Sequence, residues 1–155
     1  LELINSAKAK LVNPGLFTDI IVGFPGETEK DFQDTVDLIK QVEFDGCFIF
    51  KYSPRQGTAA FNMRETLDNE EKVNRIKILN KIQDEISLKK NRKMIGKTER
   101  ILVEGPSKKA KPNQYMGRTE SSKIVVFTNP EPVKNSFINV KIVDVQGHTL
   151  FGEKI

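Results

Sequence analysis

Two loops in the first part of the sequence carry residue types that suit a small anionic ligand. The first, Gly23–Thr28 (GFPGET), lies between an apolar run and a helical pattern. Gly23 and Gly26 would let the backbone approach a ligand closely, and the N-terminus of the next helix favours an anion such as a carboxylate. The P-loop lysine and the G-x-G-x-x-G spacing of a dinucleotide site are both missing. The alternative is an ordinary Pro/Gly turn between a strand and a helix.

The second loop is Tyr52–Thr58 (YSPRQGT), which follows the next apolar run. Arg55 offers a planar bidentate donor for a carboxylate or phosphate, and Tyr52 offers a flat face for a base. The alternative is a plain loop with a surface arginine. If both loops follow adjacent parallel strands, they lie at the same end of the sheet and would border one pocket.

A third candidate is the basic turn Gly105–Pro112 with the strands that follow it. The cationic residues predicted to meet RNA are Lys108, Lys109, Lys111, Arg118 and Lys123. On a five-stranded barrel, a basic loop beside aromatic positions such as Tyr115 and Phe127 is typical of nucleic-acid binding. The alternative is that both aromatic residues belong to the core and that the lysines only keep the loop solvated.

The elements that position the first two loops are strands and a helix in alternation. The run Phe17–Phe24 predicts a buried strand, and Gly46–Tyr52 predicts a second one. Between them, Thr28 and Asp31 form the pattern of a capping box at the start of a helix. The resulting βαβ unit implies a parallel sheet with a right-handed crossover. A helical pattern before Phe17 extends the alternation to that of a TIM-type or doubly wound sheet.

A third helix is predicted from about Asp68 to about Met94–Gly96. Its apolar line is Val73, Ile76, Leu79, Ile82 and Ile86. Its outer, solvated face is predicted to carry Lys72, Arg75, Lys81, Asp84 and Glu85. From Lys97 onwards the apolar residues alternate in five short segments, TERILVEG, QYMGRT, SKIVVF, SFINVKIVDV and HTLFGEKI. This pattern predicts a small all-β barrel of about 60 residues.

Composition and charge narrow the function classes. Hydrophobic residues make up 37% of the chain and charged residues 30%, which is typical of a soluble globular protein. No apolar run approaches the ~20 residues that a membrane span needs. Residues 1–94 carry 15 basic and 15 acidic residues, whereas residues 95–155 carry 10 and 6, which is the entire net charge of +4. The last part is therefore the predicted contact for a polyanion, with a merely solvated basic surface as the alternative.

The chain has one cysteine, Cys47, and one histidine, His148. These cannot form an internal disulfide, a zinc site or the ligand set of an iron–sulfur cluster, and the low cysteine count fits a reducing cytosol. Cys47 lies within a strand pattern and is predicted to be a small buried hydrophobic residue. A helical pattern that starts at Leu1 without an initiator methionine predicts a piece of a longer protein.

Four motifs in order, TDIIVGFPGETEKDF, FKYSPRQGTAA, GKTERILVEGPSKK and MGRTESSKIVVF, resemble the radical-SAM methylthiotransferase family over essentially all 155 residues. The closest branch is the one that methylthiolates isopentenyl-adenosine in tRNA. The resemblance implies that residues 1–64 are the C-terminal part of a TIM-type radical-SAM barrel and 65–94 a connecting helix. Residues 95–155 would be a TRAM domain, an OB-like five-stranded barrel that binds RNA.

The resemblance also implies a function. The full-length enzyme would methylthiolate C2 of N6-isopentenyl-adenosine in tRNA, using SAM and two iron–sulfur clusters, as a cytoplasmic monomer without membrane contact. Within this chain the resemblance implies that the SAM pocket is shaped by Gly23, Pro25, Gly26 and Glu27. It implies that SAM or the target nucleotide is lined by Tyr52, Ser53, Pro54 and Arg55. The family's cluster ligands are a CxxxCxxC triad and three further cysteines, and Cys47 matches neither set. The chain alone is therefore predicted to be inactive and to hold no metal.

Three alternatives stand beside this prediction. The chain could act only as an RNA-binding module, with the α/β part as support. It could belong to a sibling methylthiotransferase that acts on threonylcarbamoyl-adenosine tRNA or on a ribosomal protein. A nicotinamide or flavin enzyme is disfavoured because the glycine-rich fingerprint is missing.

Overall fold

The computed structural model describes residues 1–107, 112–129 and 131–155. These residues divide into two compact units. The first unit holds Leu16–Ile86 with Leu1, and the second holds Ser87–Ile155 with Glu2–Gly15. Helix α1 (Glu2–Lys10) belongs to the second unit. None of the described helices combines the length and the apolar character that a membrane crossing requires.

The first unit contains the predicted strand–helix–strand arrangement. Its elements are β1 (Phe17–Val22), α2 (Glu29–Val42), β2 (Gly46–Lys51), a short 3₁₀ helix (Ala59–Asn62) and most of α3 (Asn69–Arg92). β1 and β2 pair in parallel, with Phe17 opposite Gly46 and Val22 opposite Lys51. The predicted parallel pairing is therefore confirmed. β1 ends earlier than predicted, because Gly23 turns the backbone to a φ of +69°.

Both helices of this unit begin at residues that the sequence marks. The Thr28 hydroxyl accepts from the Asp31 amide at 3.2 Å, and the Asp31 carboxylate accepts from the Thr28 amide at 2.9 Å. This confirms the capping box. The Thr28 hydroxyl also donates to the Asp31 carboxylate at 2.7 Å, and this bond, followed by the one from the Thr28 amide, lowers the pKa of Asp31. At α3, Asp68 accepts from the amide of Glu71 at 2.8 Å. Each cap satisfies a backbone N–H that has no partner within the helix.

The two-stranded sheet buries one face only. On that face Val22 and half-buried Ile20, Cys47 and Ile49 join a core that includes residues of α2 and α3. On the other face four large apolar side chains are 45–59% exposed, namely Phe17, Ile21, Phe48 and Phe50. The described residues thus form a βαβ unit with a bare apolar face. Its assignment to a TIM-type barrel stays a prediction.

The second unit contains a closed barrel of five strands, as predicted. The strands are β3 (Thr98–Pro106), β4 (Gln114–Thr119), β5 (Ile124–Thr128), β6 (Phe137–Gln146) and β7 (Thr149–Lys154). Their order around the barrel is β3-β4-β5-β7-β6, and only the β5–β7 pair is parallel. The core consists of Ile101, Val103, Val125, Phe127, Val140, Ile142 and Leu150. Every second residue of β3 therefore faces inwards, and the residues between them form the outer surface.

Candidate functional site

The loops that follow β1 and β2 lie side by side at one end of the sheet. The rings of Phe24 and Tyr52 meet edge to face, with centroids 5.2 Å apart and planes at 72°. The Tyr52 amide donates to the carbonyl of Val22 at 2.8 Å, so the second loop starts in register with the end of β1. The prediction that the two loops share one end of the sheet is confirmed.

The first loop is held by its own backbone and by Glu27. Gly23 and Gly26 have φ values of +69° and +88°, which favour glycine. The Gly23 amide donates to Oε2 of Glu27 at 2.5 Å. Phe24, Pro25, Gly26 and Glu27 line a shallow surface depression together with Asp31. Three of the four predicted residues of this loop, Pro25, Gly26 and Glu27, thus line one depression, while the Gly23 amide binds the Glu27 carboxylate inside the loop.

Arg75 on α3 anchors the Glu27 carboxylate. Its Nη1 lies 3.0 Å from Oε2 of Glu27, and the Arg75 side chain is only 3% exposed. The same guanidinium pairs with Glu29 at 2.9 Å and with Glu71 at 3.2 Å, and it lies over the Phe32 ring at 4.7 Å. One buried cation on α3 therefore binds Glu27 in the loop and Glu29 at the start of α2, and it also pairs with Glu71 on its own helix.

Lys72, one turn earlier on α3, lies beside both loops. It forms an ion pair with Glu65, and its Nζ lies 5.7 Å from the Tyr52 ring centroid. Its side chain fills the space next to Gly23, where an added Cβ would lie 2.5 Å from Cγ of Lys72. Both Lys72 and Arg75 are buried, so their predicted place on the solvated face of α3 is wrong.

The physical reason is that the charges of the buried Lys72 and Arg75 are compensated by carboxylates, of which Glu27 is itself only 10% exposed. The buried residues on α3 are Lys72, Arg75, Leu79, Gln83, Ile86, Ser87 and Asn91. The first five of these residues, from Lys72 to Ile86, are spaced three or four positions apart, which is the spacing of an apolar stripe on a helix. This spacing could have identified the buried face of α3 from the sequence. It was not recognised because three of the five positions hold Lys, Arg and Gln, which are usually exposed.

In the second loop, Tyr52 is half-buried and its hydroxyl donates to the carbonyl of Ala60 at 2.9 Å. Ser53, Pro54 and Arg55 are exposed. The carbonyl of Arg55 accepts from the Thr58 amide at 3.3 Å and from its hydroxyl at 2.8 Å, which closes the turn. The turn presents the Arg55 guanidinium to solvent, where it could pair with a carboxylate or phosphate.

Cys47 is part of the packing between β2 and α3. Burial raises the pKa of its thiol to about 11. Its Sγ donates to Oε1 of Gln83 at 3.0 Å, and Nε2 of Gln83 donates to the carbonyl of Phe44 at 2.9 Å. Metal ligation requires the thiolate, which this environment disfavours. Among the residues that the structure describes, no three His, Cys, Asp or Glu side chains gather as a metal site would require.

The predicted RNA-contacting residues are only partly described. Lys108, Lys109 and Lys111 lie outside the described residues. Arg118 is exposed on β4, where Nε donates to Glu104 at 2.8 Å and Nη1 to the carbonyl of Ser122 at 3.2 Å. Lys123 is half-buried and donates to Oδ1 of Asn91 at 2.9 Å. Arg118 is thus braced on the surface, whereas Lys123 is engaged with α3.

For Tyr115 and Phe127 the structure supports the alternative that they belong to the barrel core. Phe127 is 2% exposed and belongs to the core. Tyr115 packs against that core, with its ring centroid 6.0 Å from that of Phe127. Phe127 therefore cannot stack on a base. Phe137, which the sequence analysis overlooked, is 59% exposed, and the Arg100 guanidinium lies 4.3 Å from its ring centroid. The sequence pattern that could have predicted this exposure is the alternation of inward and outward residues in β6, in which Phe137 takes an outward position.

The chain is similar to one known domain family and to one group of tRNA-modifying enzymes. Residues 92–155 match the TRAM domain family. Over all 155 residues the chain is 44% identical to a tRNA-2-methylthio-N(6)-dimethylallyladenosine synthase of Clostridium botulinum and 42% identical to that of Moorella thermoacetica. A synthase of the same name from Fusobacterium nucleatum is 43% identical over 99% of this chain. The chain covers 34%, 35% and 35% of these relatives, about one third of their length.

One solved structure is also similar, that of a conserved protein of Methanococcus maripaludis. It is 28% identical, covers 39% of this chain and 79% of its own, and has a TM-score of 0.32. The relatives' matched segment is their C-terminal part. The predicted resemblance is therefore confirmed: over its whole length the chain is similar to the C-terminal third of tRNA-2-methylthio-N(6)-dimethylallyladenosine synthases, and its residues 92–155 match the TRAM domain family.

Proposed function

We propose that this chain is the C-terminal part of a cytoplasmic enzyme that methylthiolates C2 of N6-isopentenyl-adenosine in tRNA. The proposal rests on the 42–44% sequence identity between this chain and tRNA-2-methylthio-N(6)-dimethylallyladenosine synthases, in alignments that span all 155 residues. Residues 1–64 contribute one wall of the SAM pocket, and residues 95–155 bind tRNA. Residues 65–94 form the helical segment that connects these two parts. The closed barrel and its surplus of basic residues support the binding of tRNA.

The loops after β1 and β2 are the proposed SAM wall. A Cβ added at Gly26 would meet nothing within 4 Å, so this backbone faces open space that a ligand can enter. The exposed Arg55 suits the SAM carboxylate or an RNA phosphate. Gly23, Pro25 and Glu27 act by shaping the loop, and Tyr52, Ser53 and Pro54 border it. When bound, SAM supplies the radical and the methyl group.

The iron–sulfur clusters do not fit the residues of this chain. Cys47 is its one cysteine, and its thiol is held in the protonated form by burial and donates to Gln83. The cluster ligands would come from the part of the full-length relatives that this chain does not match. By itself this chain would therefore bind RNA without catalysis, which is the second candidate function.

The bare apolar face of the β1–β2 sheet supports a partial barrel in the first unit. The strands of a TIM-type barrel are buried on both faces, by helices outside and by side chains inside. Here the inner face exposes Phe17, Ile21, Phe48 and Phe50. In the full-length protein, strands from the remainder of the barrel would cover these side chains.

A chimera tests the proposal. The chain replaces the matched segment of the Clostridium botulinum relative, and the chimera is expressed in bacteria that lack the methylthiotransferase. Mass spectrometry of tRNA nucleosides should then show 2-methylthio-N6-isopentenyl-adenosine. A chimera that folds and carries iron but modifies only threonylcarbamoyl-adenosine, or no tRNA, would contradict the proposal.

A further inference from the structure

We infer that the outer face of β3 and β6 stacks an unpaired RNA base on Phe137, with Arg100 and Arg118 holding the flanking phosphates. The inference rests on the proposed binding of tRNA by the barrel and adds the surface and the kind of RNA. It concerns residues outside the predicted basic turn, and of these only Arg118 was predicted from the sequence to contact RNA.

The surface is built by strand register. Leu102 on β3 lies opposite Phe137 on β6 and opposite Arg118 on β4, which makes one row across three strands. The next row of the same face contains Arg100 opposite Asn139. These residues are all exposed, with Leu102 at 42% and Phe137 at 59%. The Phe137 ring, with the Arg100 guanidinium over it, thus lies in one row with the Leu102 side chain and Arg118.

The aromatic position is distinctive within the barrel. Among the aromatic residues of the described barrel strands, Phe127 is buried and Tyr115 and Phe151 are half-buried, whereas Phe137 is exposed. The Arg100 guanidinium lies 4.3 Å from the Phe137 ring centroid. Such a contact orders both side chains before a ligand arrives, which reduces the entropic cost of binding.

The chemistry of this surface favours single-stranded RNA. A base can stack on an exposed phenyl ring or on an arginine plane only when it is unpaired. Both guanidinium groups suit phosphate, and Arg118 is braced by Glu104 at 2.8 Å. A duplex would present its backbone to the arginines and leave Phe137 unused. A protein partner is disfavoured because the apolar patch is small and flanked by cations.

The test compares variants of the whole chain for binding to a 12-nucleotide unpaired RNA and to a duplex of the same length. Phe137→Leu keeps an apolar residue on the strand and removes the ring. Its affinity for the single strand should fall about 5- to 100-fold, which is the effect of losing one base stack. The salt dependence should stay unchanged because no charge is lost. Phe137→Trp should restore or exceed the original affinity.

Phe48→Leu is the matched control, since Phe48 is also 59% exposed but lies on β2. Its RNA affinity should equal that of the unmodified chain. Arg100→Ala should make the salt slope shallower by about one unit. Circular dichroism must show the barrel intact in each variant, and Phe137→Trp supplies the decisive comparison if Phe137→Leu unfolds.

Two results would overturn the inference while leaving RNA binding in place. One is equal affinity of the unmodified, Phe137→Leu and Phe137→Trp chains for the single strand. The other is an equal loss for single strand and duplex, which would indicate a general contact without stacking. If the unmodified chain binds neither RNA nor tRNA, the proposed function fails as well.

Discussion

Nη1 of Arg75 on α3 lies 3.0 Å from Oε2 of Glu27 in the loop after β1. The same oxygen accepts the amide of Gly23 at 2.5 Å. The loop proposed to border SAM is therefore fixed by a helix that lies about 50 residues further along the sequence. Because Arg75 is 3% exposed and Glu27 is 10% exposed, this pair is shielded from water and salt.

Replacing Arg75 with methionine should destabilise the first unit by about 3 kcal/mol. The substitution keeps a long apolar stem but leaves the Glu27 carboxylate buried without its cation, and unpaired buried charges are costly. Urea unfolding followed by helical circular dichroism measures the loss. Lys30→Met is the control, because the Lys30–Asp34 pair is exposed on α2 and should be dispensable. Equal stability of both variants would contradict the anchoring role of Arg75.

Gly23→Ala should be more destabilising than Gly26→Ala. Both glycines have positive φ, so each alanine carries backbone strain of roughly 1–2 kcal/mol. At Gly23 the new Cβ would also lie 2.5 Å from Cγ of Lys72, which is buried, whereas at Gly26 it meets nothing within 4 Å. The additional overpacking adds roughly 1–3 kcal/mol. Thermal unfolding of the two variants side by side would reveal the difference, and the reverse order would contradict this geometry.

The sequence predicts the elements whose signals are local. The capping box of Thr28 and Asp31 and the alternation of the five barrel strands both lie within short windows, and both are confirmed. The parallel pairing of β1 and β2 follows from the helix between them. These features depend on neighbours in the sequence, which is why pattern analysis finds them.

The residues that the sequence misplaces have distant partners. Two of the three carboxylates that pair with buried Arg75, those of Glu27 and Glu29, lie more than 40 residues away in the sequence, where a local pattern cannot reveal them. Phe137 and Phe127 are both phenylalanines on alternating strands, yet one is exposed and the other is core. Which face of a strand is turned outwards depends on barrel closure, and closure is a property of the whole fold.

Cys47 should react slowly with thiol reagents. Burial raises its pKa from 9.0 to about 11, so at pH 8 about 100-fold less thiolate is present than in an unfolded chain. Iodoacetamide labelling followed by mass spectrometry should show this slowing and its loss in urea. Since the unfolded thiol ionises first, the Cys47 contribution to stability should fall as the pH rises from about 9 to 11. Labelling at the unfolded rate would mean that the contact with Gln83 does not persist in solution.

The lysines of the predicted basic turn should contribute to RNA affinity by contacting phosphates. All of the net charge lies in residues 95–155, and Lys108 and Lys109 are adjacent in the sequence after β3. If both contact phosphates, they release counterions, and log K falls with log salt by ~0.7–0.9 per contact. The Lys108→Ala/Lys109→Ala chain should then bind tRNA more weakly, with a slope shallower by roughly one to two units and with unchanged base preference.

The matched control removes the same charge from α2 by Lys30→Ala/Lys40→Ala, two exposed positions outside the barrel. Its slope should equal that of the unmodified chain, because a change in net charge alone does not remove a phosphate contact. Anisotropy titrations at four or more salt concentrations give both slopes. If the two double variants lose affinity equally, the turn acts only through net charge. If neither loses affinity, tRNA is held elsewhere, and the Phe137 surface is the next place to test.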